Sequence, residues 1–184
     1  MIFFEGYFEF ISQKTSDIDN KVLIEVARRV ESSSLRNGKV IIIGNGGSAA
    51  IASHVSIDLT KAANIRSINF NEASLITCFA NDYGYEHWAE KAIEFYADKN
   101  DLIILISSSG QSKNIINAAT KTRELGLNLV TLSGFKKSNP LRVLGDINLW
   151  IDSDHYNTVE TVHQTWLLSI VDYLISNQLK MEKS

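Results

Sequence analysis

Lys39-Val-Ile-Ile-Ile43 runs straight into Gly44-Asn-Gly-Gly-Ser48, and Asp101-Leu-Ile-Ile-Leu-Ile106 runs straight into Ser107-Ser-Ser-Gly-Gln-Ser112. Each is a short apolar stretch, rich in β-branched residues, stopped by a turn of small polar ones. A strand that is apolar at every position is buried on both faces, as in a parallel sheet; a half-exposed strand alternates. Each turn opens into a stretch that reads as helix, over residues 48–61 and residues 112–125, the second closed by Gly126. Leu127-Asn-Leu-Val-Thr-Leu132 then reads as a further strand and Ile147-Asn-Leu-Trp-Ile151 as the last. Strand, turn, helix, strand is the βαβ pattern of a doubly wound α/β fold, where ligands bind at the carboxyl ends of the strands. Both polar turns fall at such ends.

Outward from this centre, residues 2–17 and 19–35 read as helices, with Val22, Ile24, Val26, Val30 and Leu35 as an imperfect apolar stripe and Asn37-Gly38 as the stop. Residues 158–179 read as a final helix whose Val159, Val162, Trp166, Ile170 and Leu174 recur at three and four residues and face the core. The single proline, Pro140, marks a loop or helix start. No linker, repeat or low-complexity stretch divides the chain, so residues 1–184 are expected to form a single domain.

The composition bounds the function. Of the 184 residues, 45% are hydrophobic and 21% charged, which suffices for a packed core and excludes a disordered or collagen-like chain. Eighteen Lys and Arg against 21 Asp and Glu leave a net charge of −3, which is no footprint for direct nucleic-acid binding. The lone cysteine, Cys78, excludes an intrachain disulfide and fits a reducing compartment. It lies in the apolar run Ala73-Ser-Leu-Ile-Thr-Cys-Phe-Ala80 and is expected in the core. The N-terminus carries Glu5 and Glu9 and lacks a basic region and a cleavage site, so it reads as neither signal peptide nor membrane anchor. No run has the roughly 18 apolar residues of a membrane span, and the cytoplasm is expected. Phe3, Phe4, Tyr7, Phe8 and Phe10 exceed what one small domain readily buries, so residues 1–36 are expected to serve oligomerisation.

The chemistry gathers at the two turns. In 107–112, Ser hydroxyls and backbone N–H groups open a helix, and helix N-termini attract anions. The same residues serve equally as an N-cap through Ser109 or Ser112. No dinucleotide fingerprint or P-loop lysine is present. In 44–48 the glycines allow left-handed backbone and close approach of a ligand, with Asn45 and Ser48 as polar handles; alone, this stretch reads as a tight turn and cap. His54 and Asp58, four apart, share a helix face, as do Glu160 and His163, three apart. A Glu–His pair can act as acid and base, since imidazole titrates near neutral pH. His87 and His155, in polar surroundings, read as surface residues.

Gly44-Asn-Gly-Gly-Ser-Ala-Ala50, His54, Ala80-Asn-Asp-Tyr-Gly84 and Ser107-Ser-Ser-Gly-Gln-Ser112, in this order, resemble the sugar isomerase (SIS) domain, and within it the phosphoheptose isomerases. The resemblance covers essentially the whole chain. It implies a three-layer αβα sandwich around a five-stranded parallel, flavodoxin-like sheet with N-terminal helices, assembled as a homotetramer. It implies an aldose–ketose isomerase that converts sedoheptulose 7-phosphate to D-glycero-D-manno-heptose 7-phosphate for lipopolysaccharide or capsule heptose. Ser107, Ser108, Ser109 and Ser112 would hold the phosphate, with Asn45, Gly46, Ser48, Asn81 and Asp82 along the sugar. Asp58 would be the base, assisted by His54, Glu160 or His163.

The chain departs from the family pattern at three places. Asp58 stands where the family has Glu, Glu160 where it has Gln, and Leu168 where it has a second His. Where the family holds zinc it uses those three positions and that of His54, so His54, Asp58 and Glu160 would be the ligands here, without the fourth. These departures leave two alternatives to the heptose reading. One is a non-catalytic SIS protein that binds sugar phosphates or acts as a scaffold, including the type that assists a replication initiator. The other is an isomerase for another sugar phosphate.

Overall fold

The computed structural model describes residues 2–181; Met1 and residues 182–184, the ends of the expected 1–184 domain, lie outside the described residues. The chain opens with two helices, α1 (Phe3–Ser16) and α2 (Asn20–Leu35), the second capped by Asp19, whose carboxylate accepts from Lys21 N. β1 (Val40–Gly44) leads through the glycine turn to α3 (Gly47–Lys61), and β2 (Ser67–Ile68) comes next. Two helices, α4 (Ala73–Tyr83) and α5 (Trp88–Tyr96), precede β3 (Leu102–Ser107). α6 (Lys113–Glu124), β4 (Asn128–Ser133), β5 (Ile147–Trp150) and the long α7 (Tyr156–Met181) complete the chain.

The strands form one parallel sheet in the order β2-β1-β3-β4-β5. Because β1 and β3 are buried at every position, their alternate residues supply two cores at once. Val40, Ile42, Leu102, Ile104 and Ile106 pack under α2, α3 and α7. Ile41, Ile43, Ile103 and Leu105 pack under α5 and α6. The expected αβα sandwich is therefore present. β1 and β3 are also clasped at their starts, where the buried Asp101 accepts from both Lys39 N (2.8 Å) and Lys39 Nζ (2.6 Å). With the starts held, the strand ends lie level, Gly44 beside Ile106.

Two expectations fail. Cys78 is exposed, not buried. The run around it is helix α4, so its apolar residues spread around the axis and only Leu75, Ile76 and Phe79 reach the second core. Leu35, expected on the inward stripe of α2, is exposed, while Ala27 and Ser33 are buried there beside Val26 and Val30. α1 buries no residue; it is held to α7 in part by Trp166 Nε1, which donates to Thr15 O at 2.8 Å.

Candidate functional site

The chain leaves β1 toward β2 on one side and returns to β3 on the other, so the sheet's switch point lies between β1 and β3. At such a point the turns beyond the two strands diverge and leave a crevice. Here those turns are 44–48 and 107–112. A reciprocal amide pair bridges them: Asn45 Nδ2 donates to Asn114 Oδ1 at 3.0 Å, and Asn114 Nδ2 donates to Asn45 Oδ1 at 2.9 Å. Tyr85 Oη adds a donation to Asn45 Oδ1 at 3.3 Å.

Glycine at 46 answers to its left-handed φ of 55° just before α3. Glycine at 47 answers to a close approach, since a Cβ there would overlap the carboxylate of Glu160. That carboxylate therefore lies on the positive end of α3. Its Oε1 also accepts from Ser108 Oγ at 3.3 Å. The second helix start is different. Ser112 precedes α6, but its side chain makes no cap bond; its hydroxyl instead accepts from Ser107 Oγ at 3.0 Å. Ser109 Oγ accepts from Gln111 N at 3.3 Å, which leaves its own proton free to donate. Of the two helix N-termini at the switch point, one is thus covered by a carboxylate and the other presents hydroxyls and uncapped N–H groups.

A cleft of about 420 Å³ lies beside Gly47, Ala50 and Ile51 of α3. Its far wall is Tyr7 of α1 and the residues Asn157, Glu160, Thr161 and Gln164. Those four recur at three and four residues, so they form one polar face of α7. Gln164 reaches across to α3, its Nε2 3.1 Å from His54 Nδ1. The other ring nitrogen, Nε2, is 3.2 Å from Asp58 Oδ2. His54 and Asp58, with side chains 48% and 36% exposed, are open to solvent in the single chain.

The geometry therefore joins Asn45, Ser107, Ser108, Ser112 and Glu160 around the two turns, and pairs His54 with Asp58 on α3. It separates His163. That side chain is fully buried, its Nε2 donating to Ser133 O at 3.2 Å, and desolvation lowers its pKa from 6.5 to about 4. Three residues turn a helix by about 300°, so Glu160 and His163 point ~60° apart, and the edge of the polar face passes between them. The acid–base role expected for His163 at the cleft is thus corrected: its ring lies in the core, hydrogen-bonded to Ser133 O. Asn81 and Asp82 lie exposed on α4, joined to each other and to Cys78, with no described bond to either turn.

The SIS domain family model matches residues 6–134. The chain is 34% identical to the phosphoheptose isomerase of Aliarcobacter butzleri over 85% of both chains, and 36% identical to that of Helicobacter pylori HPAG1 over 68% of both. The chain belongs to the SIS domain family, in its phosphoheptose isomerase branch. Among solved structures it shares the fold of the Neisseria gonorrhoeae phosphoheptose isomerase, with a TM-score of 0.85, 23% identity, and coverage of 92% of this chain and 96% of that one.

In this SIS domain the zinc ligand set does not assemble. Among the described residues, no three His, Cys, Asp or Glu side chains converge on a point that could hold a metal ion. His54 and Asp58 stand together, but the Glu160 carboxylate lies apart from them on Gly47 and Ser108, and Leu168 packs half-buried against the core. Turnover is accordingly expected to change by less than about twofold on chelation with EDTA or on zinc addition, since a catalytic zinc needs three convergent ligands. A loss that zinc restores would overturn this.

Motifs alone do not mark Asn157, Thr161, Gln164 and Tyr7 as cleft residues. The available signal is the polar stripe 157, 160, 161, 164 at helical spacing beside the apolar residues Val159 and Val162.

Proposed function

We propose that the chain is a sugar-phosphate aldose–ketose isomerase that converts sedoheptulose 7-phosphate to D-glycero-D-manno-heptose 7-phosphate. The observation that carries this is the bond between Ser108 and Glu160: it sets the anion-attracting start of α6 directly against a cleft that contains a carboxylate. The phosphate would sit on Ser107, Ser108, Ser109, Ser112 and the first N–H groups of α6. The sugar would extend past Asn45, Gly46 and Ser48 into the cleft, with Asn81 and Asp82 beyond. Asp58 would take a proton from C1 of the ketose and return it to C2 of the enediol. Glu160 would carry the other proton, from the C1 hydroxyl to the oxygen on C2. Carbon and oxygen each lose one proton and gain one, so the isomerisation balances without a redox partner.

The direct test is NMR of sedoheptulose 7-phosphate with the purified protein. Appearance of the heptose 7-phosphate above an enzyme-free control supports the reading. Tight binding without turnover would favour the second reading, a sugar-phosphate-binding SIS protein, for which Leu168 in place of a second His is the supporting feature. Turnover of a different sugar phosphate would point to the third.

Ser109→Ala removes the free hydroxyl donor. It is expected to weaken sugar-phosphate binding roughly tenfold, as measured by calorimetry, because hydrogen bonds to a charged group carry about 1.5–3 kcal/mol. Unchanged affinity would remove Ser109 from the phosphate site.

The domain would act as a homotetramer built through residues 1–36. The exposed Ile2, Phe3, Phe4 and Phe8 of this region support that, and association would also cover the open His54 and Asp58. Light scattering should give the mass of four chains; the mass of one would sink the proposal. A cytoplasmic location fits the lone thiol, and no described helix is long and apolar enough to cross a membrane.

A further inference from the structure

We propose that Gln164 is a positioning residue, whose carboxamide N–H donates to Nδ1 of His54 and fixes the ring as the Nε2–H tautomer, with Nε2 beside Asp58. The three side chains form a line across two helices. Gln164 Nε2 stands 3.1 Å from His54 Nδ1, and His54 Nε2 stands 3.2 Å from Asp58 Oδ2. The partners' chemistry assigns every proton in it. A carboxylate only accepts, so the ring nitrogen that stands beside Asp58, in ion-pair contact, is the one that carries a hydrogen. The neutral ring then has a lone pair at Nδ1, and a lone pair needs a donor. The amide group of Gln164 supplies one and, being a carboxamide, supplies it at every pH.

The alternatives at position 164 explain why this residue type matters. A leucine would leave Nδ1 without a partner, and His54, half exposed on α3, would exchange tautomers and rotamers freely. A glutamate would accept at Nδ1 as Asp58 accepts at Nε2, so the ring would hold both protons as the imidazolium. Only a neutral donor keeps the ring neutral with its N–H at Nε2. Among metal-ligating histidines a partner on the second ring nitrogen is usual and its loss costs about 10–100-fold, and a loss of the same order is expected here. The sequence also places Gln164 one turn beyond Glu160 on the cleft face of α7, so the same helix supplies the cleft carboxylate and the group that orders His54.

The consequence for turnover rests on the isomerase reading; the tautomer does not. The test is therefore long-range 1H–15N correlation of the histidine rings in the full chain, with His54 assigned by loss of its signal in His54→Asn. The wild type is expected to show a protonated Nε2 and an unprotonated Nδ1. In Gln164→Leu the two tautomers should mix, and in Gln164→Glu both ring nitrogens should be protonated. In Gln164→Leu, kcat on sedoheptulose 7-phosphate should fall by about tenfold with KM changed less than about twofold, the split expected when a group acts only in the chemical step. A wild-type ring protonated at Nδ1, or a tautomer unchanged in Gln164→Leu, overturns the proposal. Wild-type spectra decide the first point even if a variant folds poorly. A locked tautomer released by the variant, in a protein without turnover, upholds the positioning and fails the isomerase reading instead. Turnover with a tautomer indifferent to residue 164 does the reverse.

Discussion

Asp58→Asn is expected to lower kcat for sedoheptulose 7-phosphate by about 10²–10⁴-fold, the range in which a single acid–base group contributes. Its affinity for the sugar phosphate should change by less than about twofold, because the phosphate cradle belongs to a different turn. Asparagine keeps the shape of aspartate and an amide oxygen where Oδ2 stands, so the contact with His54 Nε2 at 3.2 Å can survive. What it loses is the capacity to hold a proton taken from carbon. Asp58→Glu is the informative companion. It adds one methylene and advances the carboxylate by about 1.5 Å, one C–C bond length. Because a positioning error of that order can cost about a hundredfold, either activity rises with the longer side chain or the cleft has been rebuilt around the shorter one. Initial rates by NMR or a coupled assay distinguish these. Residual activity in Asp58→Asn above a tenth of wild type would remove Asp58 from the role of base and turn attention to Glu160.

The parts of the fold readable in the sequence were those where burial acts on every residue of a short stretch. β1 and β3 are buried on both faces, so their composition alone announces them, and their polar turns announce the switch point. β2, with two residues, is too short to carry any pattern. α4 is ambiguous for a related reason: consecutive residues with an apolar bias fit a buried run as well as they fit a helix that lies on the surface, where Cys78 is exposed. The site divided similarly. Residues near each other in sequence, such as His54 with Asp58 or the serine turn, were readable because helix and turn geometry fixes them locally. Gln164 meets His54 across 110 positions, and only the packing of α7 on α3 creates that contact. Glu160 and His163 show the limit of a spacing rule. Sharing a helix face within ~60° is compatible with one side chain in a cleft and its neighbour in the core.

His163 should make the protein sensitive to acid. The ring is fully buried between α7 and the sheet, its Nε2 donates to Ser133 O, and its Nδ1 has no partner among the described residues. Burial lowers its pKa from 6.5 to about 4. The folded state thus refuses a proton that the unfolded chain accepts between those values, so in that window unfolding takes up protons and stability falls as pH falls. The contribution is complete above pH 6.5, is lost progressively toward pH 4, and amounts to on the order of 3 kcal/mol in all. For a domain whose total stability is about 5–15 kcal/mol, this is a large share. Depressed carboxyls such as Asp98, held low by its bond to Lys39, lose their contributions only at lower pH, which leaves the window from 6.5 to about 4.5 to the histidine. Urea unfolding at about pH 7 and about pH 4.5 should therefore show a loss of about 2 kcal/mol in the wild type that is absent from His163→Gln. The glutamine keeps an N–H for Ser133 O and cannot titrate, so any cost of the substitution itself appears equally at both pH values and cancels in the comparison. Equal acid sensitivity in the two proteins would show that the ring gains a proton without leaving its place.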